Sequence, residues 1–259
     1  MEKKIKDKKT LLLTPIAIGI IIVFASVMLH SCKKQNNFYD ADPLIISQNL
    51  LYAVKENENF NAWTDTLEHI SMKSLKKHLN NDNSKKVFWI NVYNAYIQIL
   101  LSKETSTYQN KDAFFKAKKI LISGELLSLD DIEHDFLSKK NINIEFGNQF
   151  QLITTDPRIH FALNCGAASC PLIRFYEVEK IDAQLNLATQ VYLESDVIYD
   201  TLTNKVSVPA IMNWFKDDFN GEEGILIFLK FFEIIPKNAY PKIQFKEYDW
   251  TILRDKFAE

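Results

Sequence analysis

Hydrophobic and polar positions divide the chain into one nearly unbroken apolar run close to its start and a series of shorter, periodic segments after it. Residues 11–29 are apolar apart from Thr14, Pro15, Gly19 and Ser26. Beyond that run, apolar residues recur at helical spacing over 44–56 and 74–80, and Asn80-Asn81-Asp82-Asn83 supplies a break. A strongly apolar helix is predicted over 88–102. Ile120-Leu121-Ile122 and Leu126-Leu127 flank Ser123-Gly124-Glu125 and predict a β-hairpin with the glycine in its turn. Ser128 stands where a helix cap belongs, ahead of a helix over 129–138 whose first turn holds Asp130 and Asp131. Residues 158–164 read as a buried strand, 178–195 as an amphipathic helix and 197–208 as a second hairpin turning at Thr203-Asn204. Pro209 opens another helix and 221–232 form the last, before a short closing strand. Strands and helices mix without regular alternation, which predicts an α+β fold: a single compact domain with helices around a small mixed or antiparallel sheet.

The apolar run has the layout of a bacterial export signal. Lys3, Lys4, Lys6, Lys8 and Lys9 precede it, and it stops at Leu29-His30-Ser31-Cys32. A hydrophobic residue three places before a cysteine and a small residue just before it resemble a lipobox, although His30 is unusual there. Residues 1–31 are therefore expected to be a lipoprotein signal peptide, Cys32 the lipidated residue that ties the chain to a membrane, 32–40 a polar tether and 41–259 the domain. The alternative is an uncleaved membrane helix, since the run is nearly long enough to span a bilayer. Either way the domain lies outside the cytoplasm, in the cell envelope, and Lys33-Lys34 after the cysteine favours retention facing the periplasm.

Without residues 1–31, Lys plus Arg falls from 31 to 26 and Asp plus Glu from 33 to 31, a net charge of about −5. Basic clusters such as that at 116–119 are small, so nucleic acid is not an expected partner. Few glycines and prolines, no low-complexity run and no internal repeat point to one well-packed unit.

Chemistry concentrates in 156–171, where Arg158, His160, Cys165 and Cys170 fall within one short apolar stretch. A thiol near an imidazole points to a nucleophile, a metal ligand or a redox pair. Five blocks carry a family resemblance: Phe88-Trp89-Ile90-Asn91-Val92-Tyr93-Asn94-Ala95; Leu129-Asp130-Asp131-Ile132-Glu133-His134; the 156–171 segment; Trp214 with Asp218-Phe219; and Tyr248-Asp249-Trp250. Together, over about 75–252, they resemble the domain of unknown function 547 family, found in bacteria and plants. The resemblance implies membership of that fold and brings no activity with it.

Asn91, Asn94 and Gln98 form one polar stripe on an otherwise apolar helix, so they must meet water or a polar partner, in a cleft or at nearby backbone. Tyr93 and Trp89 read as core. On a regular strand His160 and Cys165 would point to opposite faces, unless the chain bulges near Gly166. Cys165, ahead of a Gly-Ala-Ala-Ser turn, sits where a side chain and free backbone N–H groups can meet a substrate carbonyl. Cys170, before Pro171 and a possible helix start, is the second candidate thiol.

Three readings stay open. As a cysteine hydrolase or acyl transferase, Cys165 is the nucleophile, His160 or His134 the base, and Asn164, Asn91 or Asn94 an orienting or oxyanion-stabilising group, with Arg158, Asn91 and Asn94 as substrate contacts. As a structural or partner-binding module, Cys165 and Cys170 form a disulfide, which an exported compartment permits. As a metal site, His134, His160, Cys165 and Cys170 supply ligands without the tight Cys-x-x-Cys spacing. No cofactor is expected, and the ligand, small molecule or peptide, is open. The acidic pairs Asp130-Asp131 and Asp217-Asp218 read as caps and solvated faces, with Asp218, through its motif block, expected to help hold the fold together.

Overall fold

The computed structural model describes residues 40–138 and 145–259. The expected signal segment 1–31, Cys32 and nearly all of the tether lie outside the described residues, and no described helix is long and apolar enough to cross a membrane.

Helix α1 (Pro43–Lys55) opens the domain, with Pro43 in its first turn and the Asp42 carboxylate accepting from the Leu44 N–H. Helices α2 (Asn61–His69) and α3 (Met72–His78) follow, and then α4 (Asp82–Lys103), on which the domain is built. Asn81 and Ser84 close a reciprocal capping box at its start. Every residue from Ser84 to Leu101 is buried, so α4 has no solvent face and serves as the axis of the larger core. Helix α5 (Lys111–Lys116) leads into the hairpin β1 (Ile120–Ile122) and β2 (Glu125–Leu127), paired in register Ile122 with Glu125. Ser123 and Gly124 both take positive φ, 52° and 80°, as a two-residue hairpin turn of matching twist requires.

Ser128 caps the next segment as expected. Its hydroxyl accepts from the Asp131 N–H while the Asp131 carboxylate takes the Ser128 N–H and hydroxyl. The turns at Asp131–Leu137 are wide, of π type, a local widening common at functional sites. After α6 (Glu145–Phe150) the expected strand over 158–164 is absent. Pro157–Phe161 is a 3₁₀ turn instead, because Asp156 captures the Arg158 N–H, Pro157 is preset for the first turn, and the Ala162 N–H closes on the Ile159 carbonyl. The strict two-face separation of His160 and Cys165 therefore does not apply.

A second, smaller core gathers α7 (Ile181–Asp196), β3 (Ile198–Asp200), β4 (Lys205–Val208), α8 (Ala210–Trp214), α9 (Gly221–Phe231) and β5 (Lys242–Phe245). The β3 and β4 strands pair antiparallel and β4 and β5 parallel, with Val206 opposite Ile243. Small sheets among helices make the fold α+β. The C-terminal segment then runs back to 166–173, where Ala167 bridges Ile252 and Ile173 bridges Phe257.

Candidate functional site

A cavity of about 410 Å³ opens where the two cores meet, and Tyr93, Glu133, His134, His160, Cys165 and Tyr248 all line it. Its walls are otherwise largely apolar and aromatic, from Phe115, Leu163, Ile211, Trp214, Phe215 and Trp250. The polar groups arrive on four separate segments: Tyr93 from α4, Glu133 and His134 from the wide turns after the hairpin, His160 from the 3₁₀ turn, Tyr248 from the chain past β5.

Two asparagines of α4 hold the cysteine segment in place from beneath. Asn94 donates to the Ala162 carbonyl and accepts from the Asn164 N–H, at 2.9 Å each, and Asn91 does the same for both backbone groups of Tyr176 at 3.1 Å. Both asparagines are fully buried and absent from the cavity wall. The polar partner of the stripe is backbone, and Gln98 completes it by accepting from the Asp255 N–H. Asn164, also fully buried, donates to the Pro171 carbonyl at 2.7 Å and accepts from the Gly166 N–H at 2.8 Å, which closes the turn on itself. Arg158 sits outside the cavity: its guanidinium grips Asp156 through Nε and Nη2 and reaches Asn186 and Asp182 on α7. Burial alone would raise the Asp156 carboxyl, but the Arg158 hydrogen bond and charge, with Lys86 beside it, outweigh that and hold it below the ordinary carboxylate range.

Cys165 and Cys170 lie at disulfide distance, with Cα atoms 6.0 Å apart. The two sulfurs differ in surroundings. Cys165 is half-buried and lines the cavity, whereas Cys170 is fully buried. Three donors converge on Cys170 Sγ: the N–H of Cys165 at 3.0 Å, the N–H of Ala167 at 3.1 Å and the Tyr248 hydroxyl at 3.1 Å. The same hydroxyl lies 3.0 Å from Cys165 Sγ. Burial pushes the Tyr248 hydroxyl well above its usual ionisation range, so it stays protonated and able to donate. Gly166, at φ +86° and packed against Leu101, lets the turn fold so tightly.

The free N–H groups expected beside Cys165 are all engaged. Asn164 donates to Asn94, Cys165 and Ala167 to Cys170 Sγ, Gly166 to Asn164, Ala168 to the Thr251 carbonyl, Ser169 to Asp249 and Cys170 to Ala167. An oxyanion hole needs donors left open for the substrate, and this turn offers none. Nor does Pro171 begin a helix, since the chain beyond it runs irregularly to Lys180.

The histidines meet in the cavity around Phe215. His160 stacks on it at 3.8 Å between ring centroids and His134 at 5.8 Å. His160 Nε2 lies 2.8 Å from Asp218 Oδ2, and His134 Nε2 lies 3.6 Å from Asp130 Oδ1. Nδ1 of each ring is buried without a hydrogen-bond partner. Among the described residues no group of three or more His, Cys, Asp or Glu side chains is arranged to hold a metal ion, so the four-ligand reading has no geometric support. Tyr93, read as core from sequence, is buried but turns its hydroxyl to Glu133 at 3.0 Å on the cavity wall; burial and then the Glu133 charge raise its ionisation. Asp218, Tyr248 and Glu133 carried a signal in their motif blocks, while Phe215 carried none.

A family model described as "Protein of unknown function, DUF547" matches residues 76–193. The match takes in the α4 block, the Asp130–His134 block and both cysteines, and stops short of Asp218 and Tyr248. No curated protein and no solved structure matches the chain.

Proposed function

Because the chain carries a domain of the DUF547 family, whose description assigns no activity, we propose its function from the cavity itself: thiol–disulfide exchange through Cys165 and Cys170. The observation that carries this reading is the inequality of the two sulfurs. Cys165 borders the cavity, where a substrate thiolate can reach it, and the sulfur that must leave, on Cys170, already sits under three hydrogen-bond donors. A neutral disulfide sulfur is a poor acceptor, but a thiolate is a strong one, and a better-stabilised leaving thiolate leaves faster.

In the exchange, a substrate thiolate forms a bond to Cys165 Sγ and the Cys165–Cys170 bond breaks with its electron pair going to Cys170. A second substrate thiol then attacks the substrate sulfur of that mixed disulfide and releases Cys165. The substrate dithiol becomes a disulfide and its two electrons pass to the protein pair. Its two protons end on Cys165 and in solvent, Cys170 remaining a thiolate. The reverse steps reoxidise the pair from a second disulfide.

A purely structural disulfide is the competing reading. Closing a loop of only a few residues contributes about 2 kcal/mol on the chain-entropy model, and this turn is already held by Asn94, Asn164 and the C-terminal segment. The acyl-transfer reading lacks the open donors it needs. Equilibrating the folded protein with dithiothreitol couples of graded potential, then alkylating and reading each cysteine by peptide mass, tests the proposal. The expected result is reversible reduction of the pair in the folded state; a bond that opens only after denaturation refutes it.

The site belongs, in this reading, to a lipoprotein anchored through Cys32 to a membrane of the bacterial envelope and facing the periplasm, where disulfide chemistry is permitted. The basic start, the apolar run and the placement of Cys32 at its end support it. An acyl mass on a peptide beginning at Cys32 is the expected finding, and an unmodified Cys32 in membrane-extracted protein refutes it.

A further inference from the structure

We propose that the thiol entering the cavity is a cysteine of a polypeptide, carried beside a lysine or arginine side chain; this deepens the exchange reading above and rests on it. At about 410 Å³ the cavity lies in the range of pockets that enclose a drug-sized ligand, about 300–1,000 Å³. A bare small thiol would leave most of it empty. Two large rings stay exposed in its wall, Trp214 at 46% and Trp250 at 37%. They stack 5.6 Å apart at 22°, and the Tyr248 ring packs against each at 4.7 Å.

Tyr248 joins this platform to the chemistry, because its hydroxyl lies 3.0 Å from Cys165 Sγ. The breadth between the indoles and that sulfur is one phenol ring and one hydrogen-bond length. Extended chain covers it in about two residues, at about 3.3 Å each. A side chain one or two positions from the substrate cysteine therefore meets the indoles while the cysteine meets Cys165.

The charge of the wall selects that side chain. Asp130 and Glu133 are half-buried on the wide turns, Asp130 at 3.6 Å from His134 Nε2 and Glu133 accepting from the Tyr93 hydroxyl at 3.0 Å. Asp112 lines the same wall but pairs with Lys116 at 2.5 Å. Lys111, the lysine among the lining residues, donates to the Tyr108 carbonyl and stands 5.3 Å from the Trp250 ring, so an ammonium already fits against this aromatic surface. Indole holds a cation better than the other aromatic rings do. A thiolate arriving alone is repelled by Asp130 and Glu133, whereas a cation carried beside it offsets the repulsion and lowers the pKa of the thiol it accompanies. The substrate thus enters as the thiolate that exchange consumes.

The test uses the full-length oxidised protein at pH 7 and low salt, with the capped peptide Gly-Lys-Cys-Lys-Gly and its counterparts carrying glutamine or glutamate in place of lysine. Rates of reduction are read by acid quench, alkylation and peptide mass. Each is divided by the thiolate fraction of its peptide, which removes the effect of the flanking charge on the thiol, and by the rate of 2-mercaptoethanol on the same protein, which removes any general damage from a substitution. The lysine peptide is expected to exceed the glutamine peptide by about 5–20-fold, and the glutamate peptide to be the slowest. Trp214→Leu is expected to cut the lysine advantage by about 2–5-fold, and Asp130→Asn combined with Glu133→Gln by a similar factor of about 2–5. Cysteamine, cationic but without a chain to span the platform, is expected to fall below the lysine peptide; a cysteamine rate that matches it overturns the polypeptide assignment. Equal rates for the three peptides, or a lysine advantage that survives both sets of substitutions, overturns the inference and leaves exchange standing. If 2-mercaptoethanol and every peptide leave the folded, unmutated protein oxidised, the exchange reading fails and takes this inference with it.

Discussion

Replacing Tyr248 by phenylalanine removes one of the three donors on Cys170 Sγ, together with the hydroxyl's contact to Cys165 Sγ, and leaves its ring to pack against Trp214 and Trp250 at 4.7 Å. A hydrogen bond to a charged group contributes about 1.5–3 kcal/mol, against much less for a neutral disulfide sulfur. The differential is therefore carried by the reduced state. At 1.36 kcal/mol per unit the Cys170 thiol pKa rises by about 1–2 units, and the couple becomes more reducing by about 30–65 mV. The tyrosine stays protonated throughout, since burial raises its own ionisation far above the range titrated. Thiolate absorbance against pH in a Cys165→Ser background gives the first number, with Cys32 cancelling between the two proteins. Equilibration with dithiothreitol couples in the two-cysteine protein gives the second. A Cys170 pKa and a potential that both stay put would show that the hydroxyl does not stabilise a thiolate.

Other consequences are open to measurement. Asn94→Leu strands the buried Ala162 carbonyl and Asn164 N–H, and is expected to cost about 2–6 kcal/mol in denaturant unfolding; a loss under about 1 kcal/mol would mean the turn finds other partners. Gly166→Ala forces a Cβ onto Leu101 at a left-handed φ of +86° and is expected to destabilise by about 2–4 kcal/mol and to slow exchange; unchanged unfolding and exchange count against the tight-turn account. Asp156 has a depressed folded-state pKa, so its contribution to stability is full above the unfolded carboxylate value of about 3.9 and is lost as pH falls toward the folded one. Asp156→Asn should accordingly flatten the acid limb of stability between pH 5 and pH 2, and a variant that keeps the wild-type slope disproves that linkage. Asp112, Asp130 and Glu133 at the cavity wall outnumber Lys111, so an anionic thiol such as mercaptoacetate should reduce the protein more slowly than 2-mercaptoethanol at low salt, and the gap should narrow at high salt; a salt-independent ratio would remove charge from the account.

The longer helices and both hairpins are readable because their patterns are local, whereas the short helices over 61–69, 111–116 and 145–150 are not among the expected elements. The α4 run, the Ser123-Gly124 turn and the Asn204 turn each announce themselves within a few residues. The 158–164 segment departs from its pattern for an equally local reason: its apolar content reads as a strand, but Asp156 and Pro157 set up a capped turn that decides the backbone first. The polar stripe on α4 showed that Asn91 and Asn94 must have polar partners, and no pattern in the chain indicates that these are the backbone groups of Tyr176, Ala162 and Asn164, 68 to 85 positions away. The cavity is the least legible feature of all. It exists only because α4, the 3₁₀ turn, the segment after α8 and the return of the C-terminus past Tyr248 converge, so Phe215 and the hydroxyl of Tyr93 gave no sign of their place.

The central claim is that Cys165 exchanges and Cys170 waits beneath it, and trapping tests it most directly. The folded Cys170→Ser and Cys165→Ser proteins would be incubated with a small aliphatic disulfide, quenched in acid and mapped by peptide mass. A stable mixed disulfide on Cys165 in the first protein, with Cys170 in the second unmodified until denatured, is the result this account predicts. Modification of Cys170 in the folded protein, or of neither cysteine before unfolding, would contradict it.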